Sequence, residues 1–416
     1  MHPETIRRID SWIGKIACFF LTYIRRIIDV LSKGARLDSP TEKILFLKLV
    51  EQGASVLAYP AICQAVGMVG KQNVYFCVFE DNRPILDILN IIPSENILSI
   101  RHSNFLIFSL DTLKVLCKIR RLDIDATVDM EFFARASAIL SYLTGAKKRV
   151  GLHRFTSEAP YRGDLMTHRI QYNPYLHTAQ LYELLVEALT SDPDETPLLK
   201  IPIHKISEKM PKFVPDKEEA GRLICLIEKE FGQTVDGPIV LLNPNASDML
   251  PLRKWPAGNF VNLANRILIE HENVFLILTG APSEQIAAQS LCSALQSDRV
   301  ISLAGNTSLR DLLVLYSIAD VLVTNDSGPG HFAALTDIDS IVLFGPETPR
   351  LFGAIGENAH IIYADLACSP CVNVFNHRFS PCRDNICMSA ITVDEVYEKV
   401  KQCLENKTYQ NRCKKS

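Results

Sequence analysis

What this chain lacks narrows its class before any motif is considered. It has no uninterrupted run of about eighteen apolar residues, the length a bilayer-spanning helix requires, and its apolar opening stretch lacks a small-residue cleavage site. It lacks a charge excess: 44 Lys and Arg against 47 Asp and Glu sum to −3, which argues against nucleic acid as the main partner. There is no repeat of solenoid type and no long low-complexity tract. The Walker and GxGxxG phosphate loops are missing as well. These absences leave a globular chain of 416 residues, longer than a single core usually supports. Eight of its twelve cysteines are scattered, as expected of small buried thiols in a reducing, cytoplasmic compartment.

What is there concentrates in the second half. The apolar run Val321 to Val323 ends in Thr324-Asn325-Asp326-Ser327-Gly328-Pro329-Gly330-His331, just before Phe332-Ala333-Ala334-Leu335. This reads as a buried strand opening onto a helix N-terminus, where unpaired backbone N–H groups and the helix dipole favour phosphate at the carboxyl edge of a parallel sheet. An ordinary strand-to-helix turn would use the same residue types. Upstream, the strand Ile239 to Leu242 runs into Asn243-Pro244-Asn245-Ala246-Ser247 and then Arg253-Lys254-Trp255-Pro256, a polar loop with two adjacent cations. Further strands are expected at Val274 to Gly280 and Ile301 to Ala304, a helix at Leu309 to Ile318, and a closing strand at Ile341 to Pro346. Strands that are continuous apolar runs alternating with helices predict an α/β fold with a parallel sheet covered on both faces.

The set Asn245-Ala246-Ser247, Arg253-Lys254-Trp255-Pro256, Leu303 to Leu309, Asn325 to His331 and Leu343-Phe344-Gly345-Pro346 resembles the ADP-heptose:lipopolysaccharide heptosyltransferase family, glycosyltransferase family nine. The resemblance implies a GT-B fold, two Rossmann-like domains facing across a cleft. It also implies a nucleotide-diphosphate sugar donor held by the C-terminal domain, a lipid-linked glycan acceptor at the N-terminal one, and no cofactor. A first strand is expected at Lys43 to Val50, then a turn at Glu51-Gln52-Gly53-Ala54-Ser55 and a helix through Val56, Leu57 and Pro60. The family's first turn is Gly-Asp with a proline seven residues after the glycine. Gly53 and Pro60 keep that spacing, but Ala54 replaces the aspartate that looks like the family's general base.

An alanine cannot accept the proton of an attacking hydroxyl. Glu51, three residues earlier, is the candidate catalytic base, with Gly53, Ala54 and Ser55 on the acceptor side. On the donor side, Arg253 stands two before the tryptophan, where the family carries its phosphate-binding lysine, with Lys254 beside it; a guanidinium serves there as a bidentate phosphate donor. Ser327, Gly328 and His331 are expected to meet the same phosphates and Asp326 a sugar or ribose hydroxyl, with Asn245 and Ser247 completing the donor set. No metal is invoked: Asp123-Ile124-Asp125, Asp192-Pro193-Asp194 and Asp337-Ile338-Asp339 have the DxD form but lie away from these strand ends. Cys368, Cys371, Cys382 and Cys387 form a local cluster, read as a structural thiolate metal site, free thiols or a redox-dependent disulfide.

Three domains follow: a possible membrane-associated N-terminal segment 1–42, an acceptor domain 43–200 and a nucleotide-sugar domain 216–405. Trp12, Ile13, Ile16 to Phe20, Tyr23, Ile24, Ile27 and Ile28, interrupted by Lys15 and Arg25-Arg26, suit a helix lying at the inner membrane surface or an extra helix packed on the domain. Two functional classes stay open: an inverting glycosyltransferase moving a sugar such as heptose to lipopolysaccharide or another surface glycan, and a catalytically silent relative that binds a sugar nucleotide or glycan. An epimerase of the same fold is a more distant third.

Overall fold

The computed structural model describes residues 8–31, 40–206, 209–246, 250–376 and 378–415. The chain divides into two compact units, Met1–Lys209 and Met210–Ser416. Each is built on a six-stranded, wholly parallel sheet.

In the first unit the strands are β1 (Ile44–Leu47), β2 (Val74–Phe79), β3 (Ile97–Ile100), β4 (Ala126–Asp129), β5 (Lys148–Leu152) and β6 (His168–Ile170), in the order β3-β2-β1-β4-β5-β6. In the second they are β7 (Ile239–Asn243), β8 (Phe275–Leu278), β9 (Val300–Ser302), β10 (Val321–Asn325), β11 (Asp339–Phe344) and β12 (Ala359–Tyr363), in the order β12-β11-β10-β7-β8-β9. Counted from its own first strand, each sheet has the doubly wound order, so each reverses direction between its first and fourth strands. Those reversals, β1/β4 and β7/β10, open the crevices in which such sheets bind ligands.

Sequence dictates this arrangement locally. All four residues of β1 are fully buried, as are Val321, Leu322 and Val323 of β10, because helices cover both sheet faces. The helix Leu309–Ile318 forms where expected and starts with a capping box between Ser308 and Asp311. Two expectations need correction. The strand at Ile341 does not close the series: β12 follows it, and as a half-exposed edge strand it has no continuous apolar run to announce it. Glu51 to Ser55 is not a turn, since a helix, Gln52–Leu57, begins directly after Glu51.

The N-terminal stretch is helical, a π-helical turn Asp10–Gly14 leading into α1 (Lys15–Leu31). It packs on α2 (Arg135–Thr144). Asp10 accepts from the Arg135 and Ala136 N–H groups at 3.0 and 2.8 Å, Thr22 Oγ1 accepts from Asp164 N–H at 2.9 Å, and Arg25 pairs with Asp164 at 2.5 Å. The approach is close: a Cβ on Gly14 would lie 2.9 Å from Arg135 Cβ, and one on Gly163 would lie 2.8 Å from Thr22 Oγ1.

Candidate active site

In the second unit, β7 and β10 end in asparagines whose side chains tie the strand ends together. Asn243 Nδ2 donates to Thr279 Oγ1 at 3.1 Å, its Oδ1 accepts from Asn245 N–H at 3.3 Å, and Asn325 Nδ2 donates to the Asn245 carbonyl at 3.1 Å. Asn325 Oδ1 also accepts from Trp255 N–H at 3.0 Å, while the buried Trp255 ring donates to the Ile391 carbonyl at 2.9 Å. The cationic turn is therefore clamped to the carboxyl end of β10. Arg253 Nη1 comes within 3.8 Å of Asp326 and 3.4 Å of Glu347.

Both carboxylates are nearly fully buried. Burial pushes the Glu347 carboxyl up to about 8, with the Asp326 charge adding to it and Arg253 opposing; Asp326 is raised too, again chiefly by burial. With Arg378 Nε 3.5 Å from Glu347 Oε1 as well, two carboxyl groups between two guanidiniums share a proton near neutrality. Among the described residues, Asn245 Nδ2 and Arg253 Nε are buried without a hydrogen-bond partner. Buried polar atoms in want of partners at a switch point are what a polar ligand would complete. Gly280 leaves the room: a Cβ there would sit 2.8 Å from Asn245 Nδ2.

Of the expected donor residues, Asn245, Arg253 and Asp326 are thus brought together. Ser327, Gly328 and His331 stand at the start and in the body of a short helix, Gly328–Ala333, directly after β10, half-buried. Lys254 is half-buried, its carbonyl accepting from Asn385 Nδ2 at 3.0 Å. Ser247 lies outside the described residues.

The first unit carries a second charged cluster at β1/β4. Lys48, fully buried just beyond β1, places Nζ 3.3 Å from Glu51 Oε2 and 3.0 Å from Glu131 Oε2. Glu131 Oε1 accepts from the Leu49 and Val50 N–H groups at 2.7 and 3.2 Å, so it shapes the backbone that delivers Glu51. Beneath it Asp129 accepts from Ser137 Oγ at 3.0 Å and pairs with the buried Arg162. Burial raises Asp129, against the pull of Arg162. Glu51 has φ +71°, the left-handed side that non-glycine residues rarely adopt, and its side chain is about a fifth exposed. Gly53, Ala54 and Ser55 follow in the first turn of the helix, Gly53 and Ser55 buried. Sequence reasoning missed Lys48, Glu131, Asp129, Arg162, Asn325 and Glu347. A signal existed for some: a lysine at the end of an apolar strand and Asp129-Met130-Glu131 at the end of another are costly unless paired.

The aspartate triplets lie elsewhere. Asp125 caps the entry to β1 by accepting from Glu42 and Lys43 N–H groups, Asp192 accepts from Asp194 N–H at 3.0 Å, and Asp339 begins β11. Among the described residues, Asp339, His360 and Cys403 form a group able to hold a metal ion, at the amino ends of β11 and β12, with Lys407 Nζ 3.5 Å from Asp339 as a competing cation. In the C-terminal cysteine cluster Cys387 is buried and its thiol raised, by burial first and then by Cys371, Cys382 and Cys368.

The family model described as glycosyltransferase family 9 (heptosyltransferase) matches residues 113–378. Lipooligosaccharide heptosyltransferase 2 of Campylobacter jejuni is 29% identical over 175 residues, 40% of this chain and 51% of the relative. Lipopolysaccharide heptosyltransferase 2 of Salmonella typhimurium is 28% identical over 143 residues, 34% of this chain and 39% of the relative. The chain thus spans about half the length, or less, of these curated relatives. Among solved structures, an E. coli ADP-heptose LPS heptosyltransferase II aligns with TM-score 0.65 at 18% identity, over 88% of this chain and 99% of that one. A glycosyl transferase family 9 structure from Veillonella parvula aligns with TM-score 0.66 at 15% identity, over 88% and 98%. These likenesses establish the fold: two parallel-sheet α/β domains of the GT-B kind.

Proposed function

Since this chain belongs to glycosyltransferase family 9, we propose that it transfers a sugar, heptose in the first instance, from a nucleotide-diphosphate donor to a lipopolysaccharide or other lipid-linked glycan, with inversion, at the cytoplasmic face of the inner membrane. The observation that carries this reading is the β7/β10 switch point, where Arg253, Asn245, Asp326 and Glu347 converge and Asn245 Nδ2 and Arg253 Nε are left with unfilled hydrogen-bonding capacity. A departing nucleoside diphosphate gathers negative charge as the anomeric C–O bond breaks. Arg253, Lys254 and the backbone N–H groups around Gly328 and His331 are suited to stabilise it. On the acceptor side, the hydroxyl forms the new bond to the anomeric carbon and gives its proton to Glu51, whose carboxylate Lys48 holds in place at 3.3 Å.

One observation favours a second reading. Ala54 stands where the family's base is expected, and Glu51 is already engaged by Lys48, as a silent sugar-nucleotide binder would tolerate. Binding and turnover with a panel of nucleotide sugars, native chain against Glu51→Gln, separates them. A donor that binds both forms but is consumed only by the native chain supports transfer with Glu51 as base. Binding without turnover by either form, with membrane-extracted acceptor glycans supplied, supports the silent binder. Absence of binding by any donor overturns both.

A further inference from the structure

The helix at the N-terminus is amphipathic the wrong way round for a surface helix of a globular unit. Its inward face is mostly small or polar: Gly14, Thr22 and Arg25 meet Arg135, Gly163 and Asp164, and only Cys18 and Leu21 join an apolar cluster with Ala138, Leu165 and Met166. Its outward face is apolar. Trp12, Ile13, Ile16, Phe19, Phe20, Tyr23, Ile24, Ile27, Ile28, Val30 and Leu31 are all exposed, Trp12 at 76% and Leu31 at 77%. Because the inward face is anchored at near-contact distance by Gly14 and Gly163, the helix has no room to roll and bury these residues. α3 (Phe105–Leu122), which also packs against α2, exposes Phe105, Leu106, Leu110 and Leu113. An exposed apolar helix face of this extent needs an occupant.

Charge identifies the occupant. In a chain of net charge −3, residues 1–36 carry Arg7, Arg8, Lys15, Arg25, Arg26, Lys33 and Arg36 against Glu4, Asp10 and Asp29. Lys15 and Arg26 are exposed beside the apolar stripe, Arg26 at 62%. Apolar residues flanked by exposed cations match the boundary between acyl chains and anionic headgroups. No helix among the described residues is long and apolar enough to cross a membrane, so the surface suits lying in that boundary rather than spanning it.

We infer that the exposed face of α1 is a docking surface for an anionic lipid bilayer, inserting Trp12, Ile16, Phe20 and Ile27 among the acyl chains while the first unit stays in water. This deepens the proposed lipid-linked acceptor by naming how the chain meets it, and it is tested without donor or acceptor, so its failure and that of the transfer reading are distinguishable.

The chain carries its own probe. Of its two tryptophans Trp255 is buried at 1% exposure, so Trp12 reports the helix. The full-length chain is mixed with vesicles of phosphatidylethanolamine and phosphatidylglycerol, then with phosphatidylcholine alone. Expected are co-flotation with the anionic vesicles, a blue shift of tryptophan emission, quenching by brominated acyl chains, and weaker binding in phosphatidylcholine or at high salt. Phe20→Glu with Ile27→Glu should lower the partition coefficient about tenfold or more with the far-ultraviolet circular dichroism unchanged. Ile286→Glu, at a still more exposed apolar residue of the second unit, should leave it as it was. No flotation, unquenched tryptophan, or equal losses from both substitutions overturns the inference. A dimer in sedimentation velocity that the double variant dissolves, without vesicle binding, overturns it in favour of a second copy of this chain.

Discussion

Lys48 spends its single charge on two carboxylates, and the difference between them sets a residue-scale test. Glu131 fixes the backbone after β1 through two N–H bonds, whereas Glu51 offers its carboxylate toward solvent. If Glu51 is the base, Glu51→Gln should lower kcat by about a hundredfold or more with little change in donor affinity. Glu131→Gln should instead destabilise the fold, by about 1–3 kcal/mol in urea denaturation, because Lys48 loses one of its two partners. Glu347 supplies a pH test. A bound pyrophosphate adds negative charge beside Asp326 and Glu347 and so favours the proton they share. ADP affinity, followed by calorimetry, should therefore weaken as pH rises through about 8, and Glu347→Gln should flatten that dependence. The stability sign runs the same way. A carboxyl raised to about 8 in the folded chain binds a proton that the unfolded chain releases at lower pH, so this contribution is lost as pH rises through about 8. The thermal midpoint of Glu347→Gln should gain on the native chain between pH 6 and 9.

At the scale of elements, the strands that carry the site were legible because a strand buried on both faces must be a continuous apolar run, as Ile239 to Leu242 and Val321 to Val323 are. Edge strand β12 was not, since one of its faces meets water and Ile361 is exposed. The motif positions were legible too: Arg253 and Asp326, 73 positions apart, do meet. What sequence could not give was the partner of each buried charge. Lys48 is buried because Glu131, 83 residues on and just past β4, reaches it, and Glu347 has a raised proton affinity because burial and then the Asp326 charge outweigh Arg253. Local pattern is blind to such pairings. Asn325, hidden inside the motif, holds the Arg253-Lys254-Trp255 turn to β7 and β10. Asn325→Ala should cost about 1–3 kcal/mol in chemical denaturation, by orphaning Trp255 N–H, and should weaken ADP binding by loosening Arg253.

At the scale of the molecule, each unit has its own sheet and its own apolar core, Val240, Trp255 and Leu276 among the residues of one, Leu45, Cys77 and Leu98 among those of the other. Units so built unfold with separate character. If the second alone holds the nucleotide, ADP at about a hundred times its Kd should stabilise that unit by about 2.7 kcal/mol. In scanning calorimetry one component should move upward while the other stays. A uniform shift of the whole endotherm would mean that both units take part in binding.

The backbone at Glu51 bears on how that residue is held there. A left-handed position is one that glycine fills without cost and other residues fill at about 1 kcal/mol or more. Glu51→Gly relieves that strain but takes from the buried Lys48 one of its two carboxylate partners, so the two effects oppose and its thermal midpoint should move less than that of Glu131→Gln. The unfavourable φ angle at Glu51 is thus held in place by the buried lysine that its carboxylate reaches, against the backbone's own preference.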